Sequence, residues 1–206
     1  MEAFRRTRGG GARASFAPPE AALLRGLVDQ IAALVGDGMP DAPGGAGAAD
    51  TADAADTAEA SGPDPRELDK LFGFTGTAGS AGPAAPPEDP ALARLLPDGY
   101  RDDPDAAGEF RKYTEHSLRS AKQESARIVL DTLPAEGGAV RLSGDQAQDW
   151  LRTLNDVRLA LGVRLEVTEE FEEQWAKLPP DDPRSAAFEV YDWLGSVQES
   201  LIQALM

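Results

Sequence analysis

The sequence predicts a mainly α protein with a small β-sheet, an α+β fold in which a helical core is joined by an N-terminal β-hairpin. Three observations carry the prediction. Apolar residues recur at helical spacing behind a set of Pro-led starts. Short segments alternate apolar and polar residues. One stretch of about fifty residues has almost no large apolar side chain and divides the rest in two.

The chain opens as a hairpin. Arg8 and Ala12 flank Gly9-Gly10-Gly11, a loop that tolerates positive φ. Pairing Arg8 with Ala12 sets Arg6 opposite Ala14 and Phe4 opposite Phe16. The two Phe then share a face, and Arg5, Thr7, Arg13 and Ser15 take the other. Pro18-Pro19 starts a helix whose stripe is Leu23, Leu27, Ile31 and Leu34, ending at Gly36. Residues 1–36 form part of the core.

Residues 37–88 read as a flexible acidic linker of Ala, Gly, Pro, Asp and Thr, too poor in apolar surface to offset the entropy of ordering. A coil of about 50 residues spans roughly 40 Å. One island interrupts it near 64–73. Asp64 caps, Pro65 takes the first helical position, and Leu68, Leu71 and Phe72 fall on one face. That short helix either docks back on its own core or is offered to a partner's groove.

Residues 89–206 complete the domain with 1–36. Asp89-Pro90, Asp103-Pro104 and Asp182-Pro183 start three more helices, each combining a capping side chain with a preset φ. The second runs to about Leu133 and the third to about Leu205. Between them Ala139–Leu142 alternates as a strand. Ser143-Gly144-Asp145-Gln146 is a capping box that opens a helix to about 161, with Trp150, Leu154, Val157 and Leu161 buried. Gly162 should stop it, and Val163–Val167 alternates as a further strand. A winged helix-turn-helix fits poorly, because only one helix lies between those two strands.

Composition narrows function. There is no cysteine and a single histidine, His116, so thiolate nucleophiles, disulfides and Cys/His metal sites are excluded and only His116 could serve a triad. The expectation is a binding protein, not an enzyme, with no cofactor, no metal and no small-molecule substrate. The carboxylates at Glu169-Glu170, Glu172-Glu173 and Asp181-Asp182 match no Ca²⁺-loop pattern and read as a solvated segment. The Gly-rich run 74–82 lacks the Lys of a phosphate loop. Nothing follows Met1–Arg6 that resembles a secretory leader, and no run approaches about 20 apolar residues, so the expected place is the cytoplasm, away from membrane.

The net charge is −16, which speaks against a general nucleic-acid binder and against anionic lipid. Arg5, Arg6, Arg8 and Arg13 make the one basic cluster. It reads either as a phosphate- or partner-contacting group or as solvated hairpin arginines.

Four stretches carry a family resemblance. They are Phe16–Arg25, Leu92–Pro104 with its Leu-Leu-Pro-Asp-Gly-Tyr centre, Trp150–Gly162 and Val190–Leu201. In these the chain resembles the actinobacterial AosR-like family, formerly catalogued as a domain of unknown function, across about residues 1–36 and 89–206. The resemblance implies a cytoplasmic regulator of oxidative-stress transcription. It would act with a sigma factor of RNA polymerase, and at promoter DNA, on genes of cysteine biosynthesis and redox balance. It also implies oxidant sensing by a cysteine pair, which this chain lacks. The competing reading is a non-catalytic adaptor or scaffold unrelated to transcription.

Overall fold

The structure, a computed structural model, describes residues 1–36, 85–100, 102–179, 182 and 184–206. The expected linker, and with it Leu68, Leu71 and Phe72, lies almost wholly outside the described residues. Three strands are described, β1 (Glu2–Arg6), β2 (Ala12–Phe16) and β3 (Gly138–Leu142). The helices are α1 (Pro18–Gly36), α2 (Pro90–Leu95), α3 (Pro104–Thr132), α4 (Gly144–Arg164), α5 (Phe171–Ala176) and α6 (Arg184–Leu205). The mainly helical class with a small sheet is as the sequence predicts.

The strands form one antiparallel sheet in the order β1-β2-β3. The hairpin register differs from the expected one. Arg6 pairs with Ala12 and Arg5 with Arg13, so the loop is five residues, Thr7–Gly11, not three. Thr7 N donates to Gly11 O at 2.9 Å and Gly10 N to Thr7 O at 3.1 Å, which closes the loop earlier. The slip is by two residues and leaves the faces unchanged, so Phe4 stays on the face of Phe16, their rings 6.1 Å apart edge-on, while an irregularity between Glu2 and Arg5 sets Glu2 opposite Ser15. Burial of the two Phe decides the face, and the bulge brings Glu2 beside Ser15 on the outer side of the sheet. Gly11 is required because β3 runs close by: a Cβ there would lie 2.0 Å from the Leu142 carbonyl oxygen.

Trp150 of α4 is fully buried at the centre, 5.6 Å from Phe4 and 5.9 Å from Phe16 by ring centroid. Its indole N–H donates to Thr132 Oγ1 at 2.8 Å, so the one polar atom of the ring is satisfied. The capping box that opens α4 is present in both directions: Ser143 N donates to Gln146 Oε1 and Gln146 N to Ser143 Oγ. Around α4 pack α1, α2, α3 and α6, and α6 also covers β1. There Ser200 Oγ accepts from Phe4 N at 3.3 Å, which covers part of an otherwise open strand edge.

The expected strand at Val163–Val167 is not one. α4 continues through Gly162 to Arg164, and the chain turns at Glu166, whose φ is 52°. Val167 N donates to Gly162 O at 2.8 Å and Glu166 N to Val163 O at 3.2 Å. That pair of bonds is a Schellman ending with Glu in the position glycine usually takes. Five alternating residues also fit the last turn of a helix, and here the turn is held by Arg164, which reaches Asp89 at 2.5 Å. Asp89 meanwhile caps α2 through the amides of Ala91 and Leu92. Partial burial pushes its carboxyl up, but the bonds from Arg164 and the α2 amides outweigh it and hold it below its ordinary value.

α1 and α3 fasten each other by crossed caps. Arg25 of α1 donates to the carbonyls of Leu130 and Leu133 at the end of α3, both at 2.6 Å. Arg119 of α3 donates to Val35 O at the end of α1, at 2.7 Å, and pairs with Glu115. These satisfy carbonyls that a helix end leaves orphaned. Lys122 reaches the buried Asp156 of α4 at 2.7 Å; burial pushes the Asp156 carboxyl up and Lys122 opposes it.

Candidate functional site

Two surfaces stand out, and neither is a cleft for chemistry. The first is the outer face of the sheet. Along β2, Ala12, Ala14 and Phe16 point into the core, so Arg13 points out. Arg5 of β1 pairs directly with Arg13, and Arg13 directly with Arg141 of β3. Three exposed arginines therefore stand in one row across the sheet. Directly opposed residues have Cβ atoms about 5 Å apart, and like charges so placed repel.

The expected cluster of Arg5, Arg6, Arg8 and Arg13 is thus partly assembled. Arg5 and Arg13 are brought together. Arg6, opposite the buried Ala12, and Arg8, in the loop, are exposed at the same end of the sheet. Arg141 was missed. Its signal was present in the alternation of 139–142, but it joins the row only once β3 is known to pair with β2 in that register. None of these five arginines forms an ion pair with a described residue. Glu20, the acid near the β2–α1 junction, is occupied by the Met1 amine and the Ala17 amide. Elsewhere arginines are committed: Arg25 and Arg119 to helix ends, Arg164 to Asp89, and Arg158 to Gln198 at 2.8 Å beneath the ring of Tyr191.

The second surface is the N-terminal half of α3. The last described residue of α1, Gly36, lies beside Gln123, so residues 104–118 extend past it. Tyr100, Phe110, Tyr113 and Leu118 are exposed there, Tyr113 by 81%. The rings of Tyr100 and Phe110 meet edge-on at 5.8 Å. Beneath them the buried Arg111 pairs with Asp98 and lies 3.9 Å from Glu115. Asp102, Asp103 and Asp105 are exposed in the same stretch of chain, as are Glu109 and its ion-pair partner Lys112, so acids outnumber bases near these side chains. His116 is an exposed helix residue on this half, as its polar neighbours predict.

Among the described residues no three His, Asp or Glu side chains converge as metal ligands. Glu169 and Glu170 are exposed, and α5, which begins just after them, was not foreseen as a helix. Among the described residues no helix is long and apolar enough to cross a membrane.

Comparison with known proteins gives the chain relatives. A family model described as "Domain of unknown function (DUF2017)" matches residues 1–205. The chain is 41% identical over 133 residues to the oxidative stress regulator AosR of Mycobacterium tuberculosis (strain ATCC 25618 / H37Rv). It is 40% identical over 133 residues to the putative oxidative stress regulator AosR of Mycobacterium leprae (strain TN). Each alignment covers 58% of this chain and 60% of the relative, so the chain spans about 60% of the length of the curated relatives it matches. These matches bear out the resemblance read from the sequence. No solved structure matches.

Proposed function

The chain belongs to the DUF2017 family, and from that premise we propose that it regulates transcription in the oxidative-stress response by binding a sigma factor or RNA polymerase. Two kinds of support meet in this reading. Relatives that align over 133 residues are named oxidative stress regulators. The observation that carries the mode of action is the exposure of Tyr100, Phe110, Tyr113 and Leu118 on one half of α3 and the turn before it, in a stretch rich in exposed acids. Large exposed rings among charges are what a protein interface is built from, because ring burial supplies affinity and the charges select the partner. An excess of acids selects a basic partner, and the net charge of −16 steers such a partner over longer range.

The test is binding of the full chain to purified sigma factors and core polymerase of its host. Phe110→Ser with Tyr113→Ser should weaken capture at least about tenfold, roughly 1.4 kcal/mol. Capture equal to the parent's, or no capture of either protein by the parent, would sink the reading. Deleting the hairpin is a poorer test, since Phe4 and Phe16 belong to the core.

A further inference from the structure

We infer that Glu115 is a positioning residue of the ring-bearing surface. A chain of ion pairs through Asp98, Arg111, Glu115 and Arg119 fixes the turn between α2 and α3, and with it Tyr100 against Phe110, in the arrangement that a protein partner meets. The inference deepens the reading above and rests on it for the partner. Residues 111, 115 and 119 are four apart and so line one side of α3. At the outer end Asp98, in the turn, pairs with Arg111. Arg111 Nη1 lies 3.9 Å from Glu115 Oε2. The other oxygen, Glu115 Oε1, accepts from Arg119 Nε at 2.7 Å and lies 2.7 Å from Arg119 Nη2. At the inner end Arg119 Nη1 donates to Val35 O at the end of α1, at 2.7 Å. The exposed turn is thus linked through α3 to the last turn of α1.

Glu115 stands in the middle of that link. It is 14% exposed and lies between two buried arginines, one on each of its oxygens. Without its charge two guanidinium groups would share a site largely closed to water, where like charges repel most strongly. A buried ion pair is seldom more stabilising than an apolar filling of the same shape, and what it supplies is a fixed geometry. Here the fixed geometry is that of the turn. Gly99 lies so near the Phe110 ring that a Cβ would stand 2.9 Å from Phe110 Cδ1, and Tyr100 meets the same ring edge-on at 5.8 Å. Both rings are half-exposed, so burial in the core does little to hold them. Their placement follows the turn, and the turn is tied to α3 through Asp98. A partner that finds the rings already placed loses less conformational freedom on binding, so the tie contributes to affinity without touching the partner.

The experiment reads the isotope-labelled full chain by NMR and then measures its capture by sigma factor and core polymerase. In the parent the Phe110 ring current displaces the Gly99 signals, which are identified by their change in Phe110→Ser. Glu115→Gln should move the Gly99 signals toward their positions in a disordered peptide and speed amide exchange at residues 34–36 by about tenfold. Asp98→Asn cuts the chain at its exposed end, so it should move Gly99 in the same way and leave residues 34–36 as they were. Glu124→Gln, the same charge change on the exposed side of α3, should alter neither. Capture should weaken by about three- to tenfold in E115Q and in D98N, as the fraction of chains with the rings in place falls. In the F110S/Y113S background E115Q should add no further weakening, because the rings it places are gone. The inference is overturned if the Gly99 signals stay in place in E115Q, if E124Q matches E115Q, or if the losses of E115Q and F110S/Y113S add. Should E115Q fail to fold, D98N decides by its Gly99 signals and by its capture in the two backgrounds. If the parent captures neither protein, the reading above falls, and the NMR arm still decides whether Glu115 places the turn.

Discussion

The two faces of the three-stranded sheet are made from alternate residues of the same strands, and they behave as opposites. Inward lie Phe4, Ala12, Ala14, Phe16, Val140 and Leu142, all buried, with Trp150 closing over the two Phe. Outward lie Arg5, Arg13 and Arg141, exposed and in no ion pair with a described residue, with Glu2 on the same face opposite Ser15. The inner face is complementary to the rest of the molecule. The outer face sets like charges side by side, which opposes folding slightly. A strand's two-residue period thus lets one segment stabilise the fold with half its residues and present the other half to solvent.

Four experiments sharpen or break this division, in falling order of expected effect. Trp150→Ala removes the side chain on which both Phe rest and should cost about 3–5 kcal/mol in urea unfolding. A cost under about 1 kcal/mol would mean that the inner face is not the keystone of the fold. Gly11→Ala places a Cβ against the Leu142 carbonyl and must push β2 and β3 apart. It should cost about 1–3 kcal/mol in the same unfolding measurement. Unchanged stability would show that the loop has room which the structure denies it.

Arg13→Gln relieves two like-charge pairs at once and should raise stability by about 0.2–1 kcal/mol per pair, read as a higher urea midpoint. A loss of stability would show that Arg13 has a structural partner, and the contrast between the faces would fail. The smallest effect expected is none. The chain has no cysteine, and its methionines are Met1, Met39 and Met206. Met1 is 36% exposed and Met206 88%, both at the termini and neither in the core. Affinity for a cysteine-free partner should therefore be the same after peroxide as after reductant. A redox-dependent affinity there would place oxidant sensing inside this chain, by chemistry other than thiol oxidation.

Much of the helical architecture was legible because its signals are local. An Asp before a Pro, or Ser143 three residues before Gln146, stabilises a helix start whatever lies around it. Failures came where local signals were equivocal. Val163–Val167 alternates, but Arg164 is held to Asp89 from another helix, and that tie keeps the last turn helical. The hairpin loop looked like three glycines, but bonds between Thr7, Gly10 and Gly11 close it as five residues. Of the candidate arginines, Arg5 and Arg13 were legible as sharing a face. Arg141, more than a hundred residues away, was not. The buried arginines were also invisible as such: Arg119 reads as a surface helix residue until the end of α1 is found beside it.

What the sequence by itself determined is the helical class, the buried aromatic pair Phe4 and Phe16, the absence of thiol chemistry and the family. These depend on residue identity and on spacing within one element. What only the tertiary structure decided is which residues from distant segments become neighbours. The arginine row and the crossed caps of α1 and α3 exist because strands and helices far apart in the chain pack in one register. That register is set by burial of the faces opposite, a sum over the whole core that no local window contains.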